Sequence, residues 1–353
     1  MTPGKTPASK GRPLEMLPIW SGHSLTESAR HAIANGGNAG LLWSKFFNQW
    51  PSPAHARLCT DGNERRPCFK SAGGEEKQRW IKIFTGSRGD EQQLEAFCQR
   101  QQERVQALGG KVVRYATTAP FVVGTGLEHP VENGFLWHHV LGVPYLPGSA
   151  VKGLVRAWAQ HWLEKDKDDA EVVRLLGPHM AHEKHGEAGA LIFFDALPCA
   201  PVKLIAEVLT PHDGGWRQGN AEAPSDWHNP VPIPYLAVGA DQSFQFAIAP
   251  RPGAKLEEND LDTAMQWLEE ALEWIGAGAR TTIGLGRFMN SESLPLQQGD
   301  RVYIRQEAGE KKGGGEKGTV EQVFDAQGLA KVKLDRGGKG STPVVALEYL
   351  ERL

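Results

Sequence analysis

GTGLEHPVENGFLWHHVLGVPYLPGSAVKGLVRAW, residues 124–158, decides how the chain folds. Its first half is broken by Gly124, Gly126, Pro130 and Gly134 and reads as a loop. Its second half predicts a helix with Ser149 as N-cap. Val151, Leu154, Val155, Trp158 and Trp162 follow at helical spacing as the buried face. Upstream, strand signals lie at Lys111–Ala116 and Phe121–Val123. Before them Leu94, Phe97, Cys98, Gln101, Val105 and Leu108 share a helical face that Gly109-Gly110 ends. Downstream, strands are expected at Ala190–Phe194 and Val202–Leu209, then a polar loop over 211–230 and a strand at Phe244–Ala249. Leu261, Ala264, Met265, Leu268, Ala271, Leu272 and Ile275 form an apolar stripe, so a helix is expected over 261–275. Thr282–Phe288 reads as a last strand. The order strand, helix, strand, strand, helix, strand predicts an α+β, ferredoxin-like (RNA-recognition-type) fold. That fold is an antiparallel sheet with helices on one face.

The flanks differ. Residues 1–20 read as a flexible leader rich in Pro, Gly, Lys and Ser. A short helix is expected from Ser24 or Thr26 to Ala34, ahead of the apolar NAGLLWSKFFNQW. Residues 51–79 read as a loop or irregular insertion. After Pro295 four strand-like runs, GDRVYI, GTVEQVF, LAKVKLD and PVVALEYL, alternate with Gly-rich turns. They predict a small all-β, SH3-like module over 295–353, following a main domain at 21–294.

The 353 residues hold 39 Lys plus Arg against 42 Asp plus Glu, a net charge of −3. That excludes a protein that coats nucleic acid by bulk positive charge, but not one with a narrow basic track. No apolar run is long enough for a membrane helix. The four cysteines, Cys59, Cys68, Cys98 and Cys199, make no Cys-x-x-Cys pair and no disulfide framework, which favours the reducing cytoplasm. Cys59, Cys68 and His55 do not match common zinc spacings.

Two segments suit phosphate. At the helix start, unpaired N–H groups and Lys152 meet a partial positive charge, with Arg156 one turn on. The same spacing also fits a capped helix with two solvated basic residues. GAGARTTIGLGRF, residues 276–288, carries Gly276, Gly278, Gly284 and Gly286, with charge from Arg280 and Arg287 and hydroxyls from Thr281 and Thr282. It fails as a dinucleotide fingerprint because Thr281 stands where glycine is required, and it runs from helix into strand. It can lie along a nucleic-acid backbone, or simply end a helix. His138 or His139 could act as a general acid or base, and His129 lies close by in the chain. His179, His182 and His185 are spaced for a helical face but framed by loop residues. Asp195, leaving a strand, reads as a turn cap.

Together, 124–158 and 276–288 resemble the RAMP superfamily of CRISPR proteins. Within it they are similar to the sixth-subunit family of type III-B (Cmr) effector complexes. NAGLLWSKFFNQW, LTPHD (209–213) and DWHNPVPIPYLAV (226–238) support that subfamily. The resemblance implies a non-catalytic subunit with no cofactor. It would bind the 3′ part of CRISPR guide RNA and, through it, target RNA. Its protein partners would be the backbone subunits and the first Cmr subunit. Carried over by position, Ser149, Lys152 and Arg156 fit the helix motif, and Gly276, Gly278, Arg280, Gly284 and Gly286 fit the glycine-rich loop. Some relatives are metal-independent endoribonucleases, and in that alternative His138 or His139 does the chemistry. The β module after Pro295 departs from the family pattern.

Overall fold

The computed structural model describes residues 37–47, 58–61, 64–67, 74–178, 188–211, 232–291, 301–309, 313–324, 327–335 and 342–352, with a few isolated positions besides. The expected leader, the helix ending at Ala34, most of the 211–230 loop and His55, His179, His182 and His185 lie outside them, as do the side chains of Cys59 and Cys68. Contacts divide the chain into two units.

The first unit draws on residues before Gly89, 124–143 and 204–237. Asn38 caps α1 (Ala39–Lys45) by accepting from Leu41 N–H at 2.9 Å. The region expected to be a loop holds regular structure instead. β1 (Leu58–Asp61) pairs antiparallel with β2 (Glu64–Pro67), and α2 spans Gly74–Phe84. Two residues, Gly62-Asn63, separate Asp61 from its partner Glu64. Trp43, Phe47, Trp80, Phe84, Phe135 and Trp137 are buried together, with Trp43 edge-on to Phe84 at 5.1 Å. Aromatic pairs of this kind stabilise beyond the area they bury. β3 is Gly86–Arg88.

The second unit begins with α3 (Glu91–Ala107), which runs into β4 (Lys111–Thr117). α4 spans Gly148–His161 and α5 Ala170–Leu176. β5 (Leu191–Phe193) and β6 (Leu197–Pro198) follow. β7 (Val202–Leu209) and β8 (Ile233–Val238), which fall almost wholly in the first unit, form a three-stranded sheet with β3 in the order β3-β7-β8. β9 (Ser243–Pro250), α6 (Asp260–Trp274) and β10 (Phe288–Asn290) complete the main sheet, ordered β10-β4-β9-β5 with β6 also on β9. Every described pairing in it is antiparallel.

The stripe expected over 261–275 is real. Ala264, Met265, Leu268, Ala271 and Leu272 are buried, and each of the larger ones is worth about 1.5–3 kcal/mol. The expectation of helices on one face needs correction. Lys111 is paired with Ile248 in register and its ammonium forms an ion pair with Asp262 of α6, so that face carries α6. α4 packs on α6 and β5. The alternate residues Ala247 and Ala249 pack on Val105 of α3, so α3 covers the other face. A second correction is the disulfide between Cys98 of α3 and Cys199, after β6, with Cα atoms 5.7 Å apart. The sequence separation of 101 residues gives no local sign of it.

Phe121–Val123 is not a full strand. Phe121 makes a single bridge to Val238. Thr282–Phe288 is not a strand either. Thr281–Ile283 form a 3-10 turn and pairing starts only at Phe288.

The C-terminal runs form β11 (Arg301–Ile304), β12 (Lys317–Phe324), β13 (Leu329–Leu334), β14 (Val344–Ala346) and β15 (Leu350–Arg352). Their sheet order is β14-β13-β12-β11-β15. Val302, Ile304, Val320, Ala330, Val332, Leu334 and Val345 make its core. No helix of the described residues is long and apolar enough to cross a membrane.

Candidate nucleic-acid interface

The glycine loop is built by backbone hydrogen bonds. Ala277 N–H donates to Gly286 O at 2.7 Å, Gly286 N–H to Pro120 O at 2.8 Å and Ala279 N–H to Val122 O at 2.7 Å. These bonds leave no room for side chains at three glycines. A Cβ at Gly278 would sit 2.2 Å from Val122 O, one at Gly286 1.9 Å from Ala277 O, and one at Gly276 2.6 Å from an Arg287 nitrogen. The close approach expected of a ligand is therefore made by the chain itself at these positions. Gly284 differs. Its φ is +90° and nothing lies within 4 Å of its would-be Cβ. Thr282, Ile283 and Gly284 form an exposed tip, with Ile283 62% exposed. Arg280, just before it, has φ +63°, a left-handed conformation unusual for a non-glycine residue and often found at functional sites. Sequence reading named Arg280, Thr281, Thr282 and Gly284 but missed Ile283. The exposure of this tip follows from the 3-10 turn, which periodicity does not reveal.

The α4 site departs from expectation. The helix starts at Gly148, with Pro147 at the N-cap position and no side-chain cap. Ser149 is exposed and lies inside the first turn. The Gly148 N–H donates to Asp195 Oδ1 at 2.7 Å, so a carboxylate of the chain already occupies part of the helix N-terminus. Arg156 is part-buried and already engaged within the chain. Its Nη2 donates to Leu176 O at 2.9 Å and Gly177 O at 2.8 Å, closing the C-terminal end of α5. Burial pulls the Lys152 ammonium below the usual lysine range, and the Arg156 guanidinium adds repulsion in the same direction. An anion placed there would relieve that repulsion. Gly153, beside Lys152, is exposed with nothing within 4 Å of a Cβ position.

The glycine loop, anchored on Pro120 and Val122, leads into β10, and the Gly148 end of α4 meets Phe193 of β5; β10 and β5 stand at the two ends of the order β10-β4-β9-β5.

His129 and His138 are engaged in local hydrogen bonds, whereas the His139 side chain is exposed. His129 is 8% exposed and stacks on Trp43 at 4.4 Å. Its Nε2–H donates to Trp43 O at 2.9 Å and its Nδ1 accepts from Val131 N–H at 3.3 Å. Burial pushes its pKa down to about 4, against the opposing effect of the hydrogen bond it donates to the Trp43 carbonyl. His138 Nδ1 accepts from Leu141 N–H at 3.2 Å. His139 is exposed, and its carbonyl accepts from Asn38 at 2.8 Å. Among the described residues no His, Cys, Asp and Glu cluster could hold a metal.

A family model described as the RAMP superfamily matches residues 114–289, from within β4 to β10 and across both segments. The chain belongs to the RAMP superfamily. Within it, the chain is similar to proteins named Cmr6. It is 28% identical over 232 residues to the CRISPR system Cmr subunit Cmr6 of Pyrococcus furiosus, covering 50% of this chain and 66% of that one. It is 25% identical over 198 residues to CRISPR system CMR subunit Cmr6 of Saccharolobus solfataricus, covering 53% and 61%. The chain thus spans just under two thirds of each relative's length. Among solved structures, it matches a chain of the type III-B Cmr-beta complex bound to cognate target RNA, with TM-score 0.49 and 18% identity over 76% of this chain and 89% of that one. It also matches the crystal structure of Cmr6 from Pyrococcus furiosus, with TM-score 0.33 and 25% identity over 51% and 97%.

Proposed function

We propose that this chain is a Cmr6-type, non-catalytic subunit of a type III-B CRISPR effector complex. It binds the 3′ part of the guide RNA and, through it, meets target RNA. It docks on backbone RAMP subunits and the first Cmr subunit. Its main body is ferredoxin-like, a reading supported by the order β10-β4-β9-β5 with α4 and α6 packed together. The C-terminal sheet is an SH3-like accessory module.

The observation that carries this reading is the glycine loop. Every glycine but Gly284 is pinned against the chain's own backbone, and the tip after Arg280 stands in solvent. A stiff loop with an exposed backbone edge and a cation at its base contacts phosphates and sugars without reading letters. A guide with a variable spacer needs that tolerance. Lys152 and Gly153 supply a second, separate contact. Thr281 adds a hydroxyl to the first. The engagement of His129 and His138 in local hydrogen bonds supports a non-catalytic role.

The test is a complex assembled with wild type, Arg280→Glu or Lys152→Glu, washed between about 50 and 200 mM salt, the range over which phosphate contacts weaken strongly. The RNA retained per complex is then measured. Both variants should lose guide RNA earlier than wild type, Arg280→Glu the more. Equal retention would overturn the reading. Cleavage of repeat RNA by the purified chain in chelator, lost in His139→Ala, would favour the endoribonuclease instead.

A further inference from the structure

The ends of α4 and α6 carry an aromatic step that the RNA-binding reading does not use. Trp158 is nearly buried and stacks on Trp162 at 5.1 Å with planes 15° apart. Trp162 meets Trp274 at 6.4 Å. Both outer rings are open to solvent, Trp162 at 52% and Trp274 at 55%, and Leu163 beside them is 40% exposed. Single exposed apolar residues are ordinary, but two tryptophans exposed against each other form a patch.

The charge around the step selects its occupant. Glu270 lies one turn before Trp274; its Oε2 accepts from Trp158 Nε1 at 2.8 Å and its Oε1 from Gln266 Nε2 at 2.9 Å. Glu164 and Glu273 are exposed and adjoin Leu163 and Trp274 in the chain. The nearest lysine, Lys165, is engaged: its Nζ lies 2.9 Å from Glu171 and 3.6 Å from Asp169. His161, exposed beside Trp162, is the remaining basic side chain of this stretch. Indole faces bordered by carboxylates attract a guanidinium and repel a phosphate chain.

We propose that the Trp162–Trp274 step docks a protein partner through an arginine-bearing segment, with the guanidinium stacked on indole and paired to carboxylate. This rests on the reading above that the chain works within an assembly, and it names a surface and a chemistry for one contact there. Both rings are about half exposed, so truncating them removes the Trp158–Trp162 stack but no fully buried side chain.

The test uses the full chain in the assembled complex, with Trp274→p-benzoylphenylalanine as a photo-crosslinker. A cross-link to an arginine-containing peptide of another protein subunit is expected. A cross-link to RNA, to a second copy of this chain, or to no molecule would overturn the proposal. In parallel, Trp162→Ala with Trp274→Ala should reduce the co-purified partner by about tenfold or more, as loss of exposed tryptophan anchors does, with circular dichroism that still reports a folded chain. Undiminished partner would overturn it. If the unmodified chain brings down no partner at all, the assembly reading fails as well. Partner retention that ignores the tryptophans sinks this proposal alone.

Discussion

Lowering the pH should unfold the first unit through His129, and the size of the effect follows from its surroundings. The imidazole is sandwiched on Trp43, donates to the Trp43 carbonyl and accepts from Val131 N–H, so a second ring proton has no acceptor. Its folded pKa is pushed to about 4, against 6.5 when exposed. A base with a depressed folded pKa binds its proton more tightly in the unfolded chain. Stability is therefore full above pH 6.5, falls as the pH drops below it, and stops falling near pH 4. Each unit is worth 1.36 kcal/mol, so the loss is about 2 kcal/mol at pH 5 and about 3 kcal/mol at the end of the window. The assay is urea unfolding, followed by tryptophan fluorescence from pH 7.5 to 4.5, on wild type and His129→Gln. The variant keeps a donor for Trp43 but does not titrate. It should be less stable at neutral pH and flatter toward acid. Parallel pH profiles for the two proteins would refute the assignment of a neutral buried imidazole.

Other consequences are simpler to state. Gly286→Ala should fail to give folded protein, because its Cβ would meet Ala277 O at 1.9 Å, whereas Gly284→Ala should cost only about 1 kcal/mol for left-handed backbone; thermal melts compare them. Arg156→Met should destabilise by about 2 kcal/mol, since two carbonyls lose a charged donor, and guide-RNA retention at low salt should fall far less than in Lys152→Glu. Cys98→Ser should lower the melting temperature in oxidising buffer but match wild type in reductant, because the closed loop of about 100 residues is worth up to about 4–5 kcal/mol.

Regular, local patterns were legible in the sequence. The stripe at Leu261–Ile275 became α6 because a 3.6-residue repeat has one solution against a sheet. Strands β4 and β9 and the C-terminal runs were readable as short apolar runs between turn signals. What escaped depended on distant partners. Pro147 and Asp195, not Ser149, shape the start of α4, and Asp195 lies 47 residues beyond Gly148. Arg156 looked free because its acceptors at Leu176 and Gly177 belong to another helix. The strand expected at Thr282–Phe288 fails because Arg280, Gly284 and Gly286 all take positive φ. Glycine announces that; arginine does not. The hairpin β1–β2 was missed although Gly62-Asn63 is a readable two-residue turn signal.

The most direct measurement is photo-crosslinking of 4-thiouridine guide RNA in the assembled complex, followed by peptide mapping. Adducts should fall on the peptide holding Arg280–Gly284, from nucleotides in the 3′ part of the guide. Adducts confined to other surfaces, with that peptide clean at every labelled position, would contradict the account.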